Sequence, residues 1–320
     1  MEAFTNEEFS VTKSLKGNLE SCILGKSEEI ELLLTVLLAE GHVLLEDVPG
    51  TGKTVLIKSL AKSIDGQFHR IQCNPDLLPT DITGVSIYHP KDDSFVFRPG
   101  PVITNILLID EINRATTKTQ AALLEAMEEK SVTVDGVSHE LPKPFMMLAT
   151  QNPIDFAGTY LLPEAQLDRF MMKFSLGYPD EVTELNMVNA YSQNNPLLDL
   201  KPVTDMEMIL NIQEKVKHVH IDQAVSQYAI AIVRNTRQHK SILLGASPRA
   251  TLALIHAAKS LAFLKERDYV IPDDIKQLTP YVLNHRMILQ SDVRMEGNTV
   301  ESVLETIMEQ VTVPVKLRME

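Results

Sequence analysis

The chain has 320 residues, 44% of them apolar and 23% charged, with two cysteines and a formal net charge of -13. That length exceeds one typical core, so two domains are expected, in an otherwise ordinary globular composition. The acidic balance, with no cluster of Lys and Arg, argues against nonspecific nucleic-acid binding and for protein partners.

No apolar run reaches the roughly eighteen residues that span a bilayer. The opening MEAFTNEEFSV lacks the basic-then-apolar layout of a signal peptide. Cys22 and Cys73 match neither a metal spacing nor a disulfide framework, so reduced thiols in a cytoplasmic protein are expected.

In chain order, two helical stretches flank Ile23-Leu24-Gly25-Lys26. Ser27 could cap the second, where Ile30, Leu33, Leu34, Leu37 and Leu38 follow a helical stripe. Five short apolar strands come next, over His42–Glu46, Gln67–Gln72, Ile106–Asp110, Phe145–Thr150 and Met171–Phe174. Helices alternate with most of them. This predicts an α/β fold, a five-stranded parallel sheet between helices, with functional groups at the strands' carboxyl ends. The helix after ILLIDE starts near Thr117, with Gln120 as a capping-box partner.

The strand HVLLE runs into Asp47-Val48-Pro49-Gly50-Thr51-Gly52-Lys53-Thr54, and ILLIDE ends in Asp110 and Glu111. Together these build a nucleoside triphosphate site. Gly50 and Gly52 let backbone N–H groups close around phosphate oxygens, Lys53 reaches the β- and γ-phosphates, and the Thr54 hydroxyl ligates Mg²⁺. The helix Thr54–Ile64 aims its positive end at the phosphates. Asp110 holds Mg²⁺ through water and Glu111 polarises the attacking water. Asp47 stands where the phosphate-loop pattern has Gly, and an anion there opposes binding. Its side chain is therefore expected to turn away and bond a loop N–H. Taken alone, ILLIDE reads equally well as a core strand ending in surface charges.

Two inserts interrupt the alternation. Residues 75–101 hold two β-like runs about the turn His89–Asp93, and residues 130–143 alternate apolar and polar positions about Asp135-Gly136, a hairpin signal. Such extras are usually functional loops, although an edge hairpin is the plain alternative. Asn152 at a strand tip could orient the attacking water or simply make an Asx-turn before Pro153. Arg169 ends a short helix, where an ion pair with Asp168 or Glu164 is the plain alternative. Arg249 sits in the first turn of a helix, where the dipole disfavours a cation, so an anionic partner or nearby carboxylate is implied.

After Tyr178-Pro179 the pattern turns helical. Residues 1–180 read as one domain, 181–203 as a linker with its polar centre at Ser192–Val203, and 204–320 as a helical domain. The helices there are Asp205–Lys217, capped by Thr204, then Asp222–Gln238, Pro248–Lys265, Asp273–Leu283 and Val300–Gln310, with a small β-ribbon over Met287–Val300.

The runs LLEDVPGTGKT, RIQCNPDLLPTDITG, DEINRATTKTQAALLEAMEEKSVTVDG, ATQNP, LPEAQLDRF and GASPRA make the chain resemble the MoxR family of AAA+ ATPases over nearly its whole length. Asp47 occurs in many members. Cys73 and Asn74 stand where Phe and Thr are more usual. Asn74 falls where AAA+ proteins often restrain the catalytic Glu, so that coupling is in question.

The resemblance implies ATP and Mg²⁺ as ligands and a C-terminal lid. Asn152 would be sensor 1, Arg249 sensor 2, and Arg169 the arginine finger given to a neighbouring subunit. Residues Ile23, Leu24, Gly25 and Lys26 would flank adenine, and Arg114 could be a further interface residue. The inserts would be a helix-2 insert and a pre-sensor-1 hairpin, facing a pore or partner. The implied assembly is a hexamer that remodels or matures partner complexes, often with a von Willebrand factor A domain protein. A metal-chelatase motor subunit is the alternative; a nucleic-acid motor or a slow nucleotide-gated scaffold fits less well.

Overall fold

A computed structural model of the protein describes residues 4–91, 93–152, 159–193 and 195–314. The first nine strands are β1 Val43–Glu46, β2 Phe68–Gln72, β3 Gly84–His89, β4 Ser94–Pro99, β5 Ile106–Asp110, β6 Ser131–Val134, β7 Val137–Glu140, β8 Met146–Gln151 and β9 Met172–Phe174. Five of them make one parallel sheet in the order β2–β5–β8–β1–β9.

The order explains the composition of each strand. β5 lies inside the sheet with helices on both faces, and all its residues are buried. Ile106 and Leu108 enter one apolar cluster while Leu107 and Ile109 enter the other, as a period of two requires. β2 is an edge strand, and there Arg70 and Gln72, two residues apart, share one face. The paired register sets Gln72 against Asp110.

Helices Asn6–Cys22, Ser27–Leu38 and Lys53–Ser63 share one continuous apolar cluster with the later helices Met206–Val216, Gln223–Gln238, Pro248–Leu264, Pro272–Leu283 and Val300–Gln310. Helix Thr117–Glu129 covers the opposite face through Leu123, Leu124 and Met127. The inserts form antiparallel hairpins, β3 with β4 and β6 with β7. Asp135 and Gly136 both have positive φ, the turn that the Asp-Gly pair favours. Phe97 of one hairpin stacks on His139 of the other, with ring centroids 3.8 Å apart. Cys22 and Cys73 are buried and unpaired. No helix among the described residues is long and apolar enough to cross a membrane.

Several local expectations change. The stretch 181–203 is not a plain linker: it carries helix Glu181–Gln193 and the short helix Pro196–Asp199. The cap of helix Met206–Val216 is Asp205, whose carboxylate accepts from Met208 N, rather than Thr204. Ser27 is the first helical residue and donates to Glu20 instead of capping. Thr116 caps the helix after β5; Gln120 is buried and donates to the carbonyls of Ile112 and Tyr160, so it closes no capping box. The ribbon near Met287 pairs Ile288–Leu289 with the distant Ile242–Leu244, a partner that local alternation cannot reveal.

His42, at the foot of β1, is buried between elements. Its Nδ1 accepts from Met147 N at 3.0 Å and its Nε2 faces Met127 O at 3.2 Å, so the neutral tautomer ties β8 to the end of helix Thr117–Glu129. Burial pushes its pKa down to about 4. In the unfolded chain the imidazole takes a proton as pH falls through about 6.5, while the folded protein resists until about 4. His285, likewise buried, is pushed in the same direction. Stability should therefore fall from pH 6.5 to 4.5, ahead of most carboxylate titration, by roughly 1.4 kcal/mol per pH unit for each such histidine. Urea midpoints measured across that window should decline; a flat profile would contradict these assignments.

Candidate nucleotide site

The carboxyl ends of β1, β5 and β8 open on a cavity of about 360 Å³. Its wall contains Asp47, Pro49, Gly50, Thr51, Gly52, Lys53, Thr54, Asp110, Glu111 and Asn152, together with Arg70, Gln72 and Thr150. Parallel strands all end on the same side, so residues more than a hundred positions apart in sequence converge here.

Gly50 and Gly52 have φ of 90° and 89°, the left-handed region, and Gly52 opens helix Lys53–Ser63. Open space surrounds Gly50, so backbone conformation, not crowding, calls for glycine there. Lys53 Nζ donates to Val48 O at 2.7 Å and to Thr51 Oγ1 at 3.4 Å. Burial lowers the Lys53 pKa, and Asp47, Asp110 and Glu111 oppose that shift.

The Asp47 carboxylate turns away from the loop, as its charge requires. It accepts from Leu176 N at 2.6 Å, Ser175 Oγ at 3.1 Å and Gly177 N at 3.2 Å, clamping the exit of β9.

Asp110 is 7% exposed and takes Arg70 Nε at 2.5 Å on one oxygen and Thr150 Oγ1 at 3.4 Å on the other. Glu111 follows with φ 56° and ψ 52°, a conformation uncommon for a residue with a side chain and associated with functional sites. Its N–H donates to Thr150 Oγ1 at 3.0 Å. Its carboxylate receives Gln72 Nε2 at 3.2 Å and Arg114 Nε at 3.0 Å.

Gln72, not Asn74, therefore contacts the acidic residue. β2 ends at Gln72, and Asn74 makes an Asx-turn with Asp76 N. Counting back from Glu111 cannot reveal this. The signal was the polar pair Arg70 and Gln72 at period two, on the same face of β2. Asn152 lines the cavity, and the chain from Pro153 through 158 lies outside the described residues.

Leu24 and Gly25 are not part of the cavity wall, but their loop abuts it. A Cβ on Gly52 would meet Ile23 Cδ1 at 3.5 Å, and one on Gly25 would clash with Thr183. Lys26 reaches Tyr178 O at 3.4 Å.

Arg169 and Arg249 lie outside the wall. Both bind Glu128, at 2.7 Å and 3.0 Å, so Arg169 does make an ion pair within the subunit, but with Glu128 and not with Asp168 or Glu164, the carboxylates offered as the plain alternative. Asp168 instead takes Ser247 Oγ and Arg286 Nε, each at 2.8 Å. Ser247 thus precedes helix Pro248–Leu264 without capping it through its side chain.

The arrangement suits a magnesium-bound triphosphate. A lysine, a glycine-shaped loop and a helix N-terminus face one cavity, and the Thr54 hydroxyl with the Asp110 carboxylate offers the oxygen donors that Mg²⁺ takes.

Comparisons with known proteins agree. A family profile described as "ATPase family associated with various cellular activities (AAA)" matches residues 42–172, and one described as "AAA lid domain" matches residues 234–307. An uncharacterised Bacillus subtilis protein, YeaC, is 50% identical over 93% of each chain. Chaperone MoxR1 of Mycobacterium tuberculosis is 40% identical over 91% of this chain and 79% of its own. A crystal structure of a candidate ATPase from Cytophaga hutchinsonii superposes with a TM-score of 0.90 at 39% identity, covering 96% of both chains. With the phosphate loop, the Asp110–Glu111 pair and the helical lid in one fold, the chain belongs to the MoxR family of AAA+ ATPases.

Proposed function

We propose that the protein hydrolyses ATP in a ring, a hexamer by family resemblance, and uses the cycle to remodel or mature partner protein complexes, von Willebrand factor A domain proteins among them. The observation that carries this is a separation. Lys53, Thr54, Asp110, Glu111 and Asn152 share one cavity, while Arg169 and Arg249 gather on another surface around Glu128. Arginines that serve a γ-phosphate from there would serve a neighbouring subunit's.

Lys53 would leave its own loop carbonyl for phosphate oxygens, a charge-assisted contact. Glu111, steadied by Gln72 and Arg114, would orient the attacking water, with Asn152 beside it. Mg²⁺, held by Thr54 and Asp110, would neutralise charge on the phosphates. A neighbour's Arg169 would stabilise charge in the transition state. The relative named Chaperone MoxR1 supports the remodelling role. So do the hairpins, whose Tyr88, Phe95 and Val137 are exposed as contact surface for a client.

Lys53→Ala should lose nucleotide binding, whereas Glu111→Gln should bind ATP and hydrolyse it poorly. Equal affinity losses in a fluorescent-nucleotide titration would contradict these roles. Asp47→Ala strands the buried Leu176 N–H, at a cost of about 1 to 3 kcal/mol, or a few degrees of melting temperature. Nucleotide affinity should stay within about threefold, since only a repulsive anion is lost. A tenfold weaker affinity with unchanged melting would place Asp47 at the phosphates instead. Arg169→Ala should bind ATP yet lose roughly 10³ to 10⁵ in turnover. Mixed with inactive Glu111→Gln it should regain activity, because some interfaces then pair an intact Glu111 with an intact Arg169. Near-normal turnover of Arg169→Ala would remove the interface role.

A further inference from the structure

Glu128 lies in the last turn of helix Thr117–Glu129, where the dipole disfavours an anion. Arg249 lies in the first turn of helix Pro248–Leu264, where the dipole disfavours a cation. Each charge stands at the unfavourable end of its own helix, and the two face each other at 3.0 Å. Arg169, from the turn before β9, binds the other oxygen of the same carboxylate at 2.7 Å, and its second amino group donates to Leu124 O at 3.3 Å. One carboxylate thus bridges two guanidinium groups that would otherwise repel. Its side chain is 32% exposed, a setting where a simple ion pair contributes little to stability. Bridging two cations from different parts of the fold does something else: it fixes their spacing.

We propose that Glu128 is a positioning residue for ATP hydrolysis, setting Arg169 and Arg249 side by side as one unit offered to the phosphates of a neighbouring subunit. The proposal rests on the interface reading of Arg169 given above. Glu128 touches no nucleotide itself. Both oxygens are engaged by arginine, and the guanidinium N–H groups left over are the ones available to phosphate oxygens. Without Glu128 the two cations separate, and a displacement of about 1 Å at a reacting centre can cost on the order of 10² in rate.

The test is steady-state hydrolysis by the full-length protein with Glu128→Ala, Glu128→Gln, Arg169→Ala and the double variant Glu128→Ala/Arg169→Ala. Glu128→Ala should lower kcat roughly ten- to a hundredfold while fluorescent-nucleotide affinity stays within about twofold of wild type. Glu128→Gln, which keeps one accepting oxygen but no charge, should fall between. The double variant should be slower than Arg169→Ala by clearly less than the full Glu128→Ala factor, because Arg249 is then the one arginine of the pair left for Glu128 to position. Mixing adds a readout that misfolding cannot imitate. Glu128→Ala mixed with Glu111→Gln should recover activity, since some interfaces pair an intact site with an intact arginine face. Glu128→Ala mixed with Arg169→Ala should recover none, both lesions lying on the same face of the subunit. If Arg169→Ala is crippled but Glu128→Ala and Glu128→Gln turn over near the wild-type rate, the positioning role is overturned and the interface reading stands. If the double variant is slower than Arg169→Ala by the full factor of Glu128→Ala, Glu128 acts independently and the proposal fails. If Arg169→Ala itself is near normal, the interface reading fails and this proposal with it.

Discussion

A buried guanidinium fixes where the helical lid sits on the sheet. Arg286, only 6% exposed, donates to the Asp168 carboxylate and to the carbonyls of Asp168, Phe170, Met171 and Val282. Burial lowers its pKa to about 10, against the pull of Asp168, so it remains a cation at neutral pH. Ser247 takes the other oxygen of Asp168. One carboxylate thus fastens both the start of helix Pro248–Leu264 and the turn after Pro272–Leu283 to the approach of β9. Arg169 is one residue from Asp168, and Arg249 two residues from Ser247. Their meeting at Glu128 follows from this anchor, and removing one partner of such a buried pair typically costs about 3 to 5 kcal/mol.

From the other side, helix Thr117–Glu129 joins the phosphate cavity to the same surface. It begins just beyond Glu111 and its short turn Ile112–Arg114, carries Glu128 in its last turn, and leads directly into β6. The second hairpin reaches the first through the stack of His139 on Phe97. Glu111, the arginine pair and both hairpins are therefore ordered along one rigid element. A change at the carboxyl end of β5 has a short physical route to all three.

The sheet and the phosphate loop were legible because local chemistry dictates them. Apolar strands buried on two faces, positive-φ glycines and adjacent carboxylates at a strand tip each leave a signal within a few residues. The outward turn of Asp47 was legible for the same reason, since an anion beside a triphosphate is repelled. Gln72 was not, because its role depends on the pairing of β2 with β5. The roles of Glu128, Arg286 and Asp168 were missed for a stronger reason: each finds a partner across the lid–sheet junction, 79 to 121 positions away. Helical signals over 181–193 were overlooked because polar residues and prolines just beyond it dominate the segment, and apolar Val182, Leu185 and Val188 are exposed rather than buried.

The described charges of the site share one property: each is already satisfied within the subunit. Lys53 binds the Val48 carbonyl, Asp110 binds Arg70, Glu111 binds Gln72 and Arg114, and Arg169 and Arg249 bind Glu128. None of these groups has to be held bare in a partly buried setting, where an unpaired charge is costly. A triphosphate would then act by exchange, giving Lys53 a dianionic partner in place of a carbonyl and Arg70 a competitor for Asp110. Exchange of paired for paired groups needs little net desolvation, so small differences between partners decide which state prevails. If the arginines on Glu128 serve a neighbouring subunit as proposed, the same logic holds there, since a phosphate carries more negative charge than one carboxylate. A site built this way turns over when the better partner arrives and rests when it leaves.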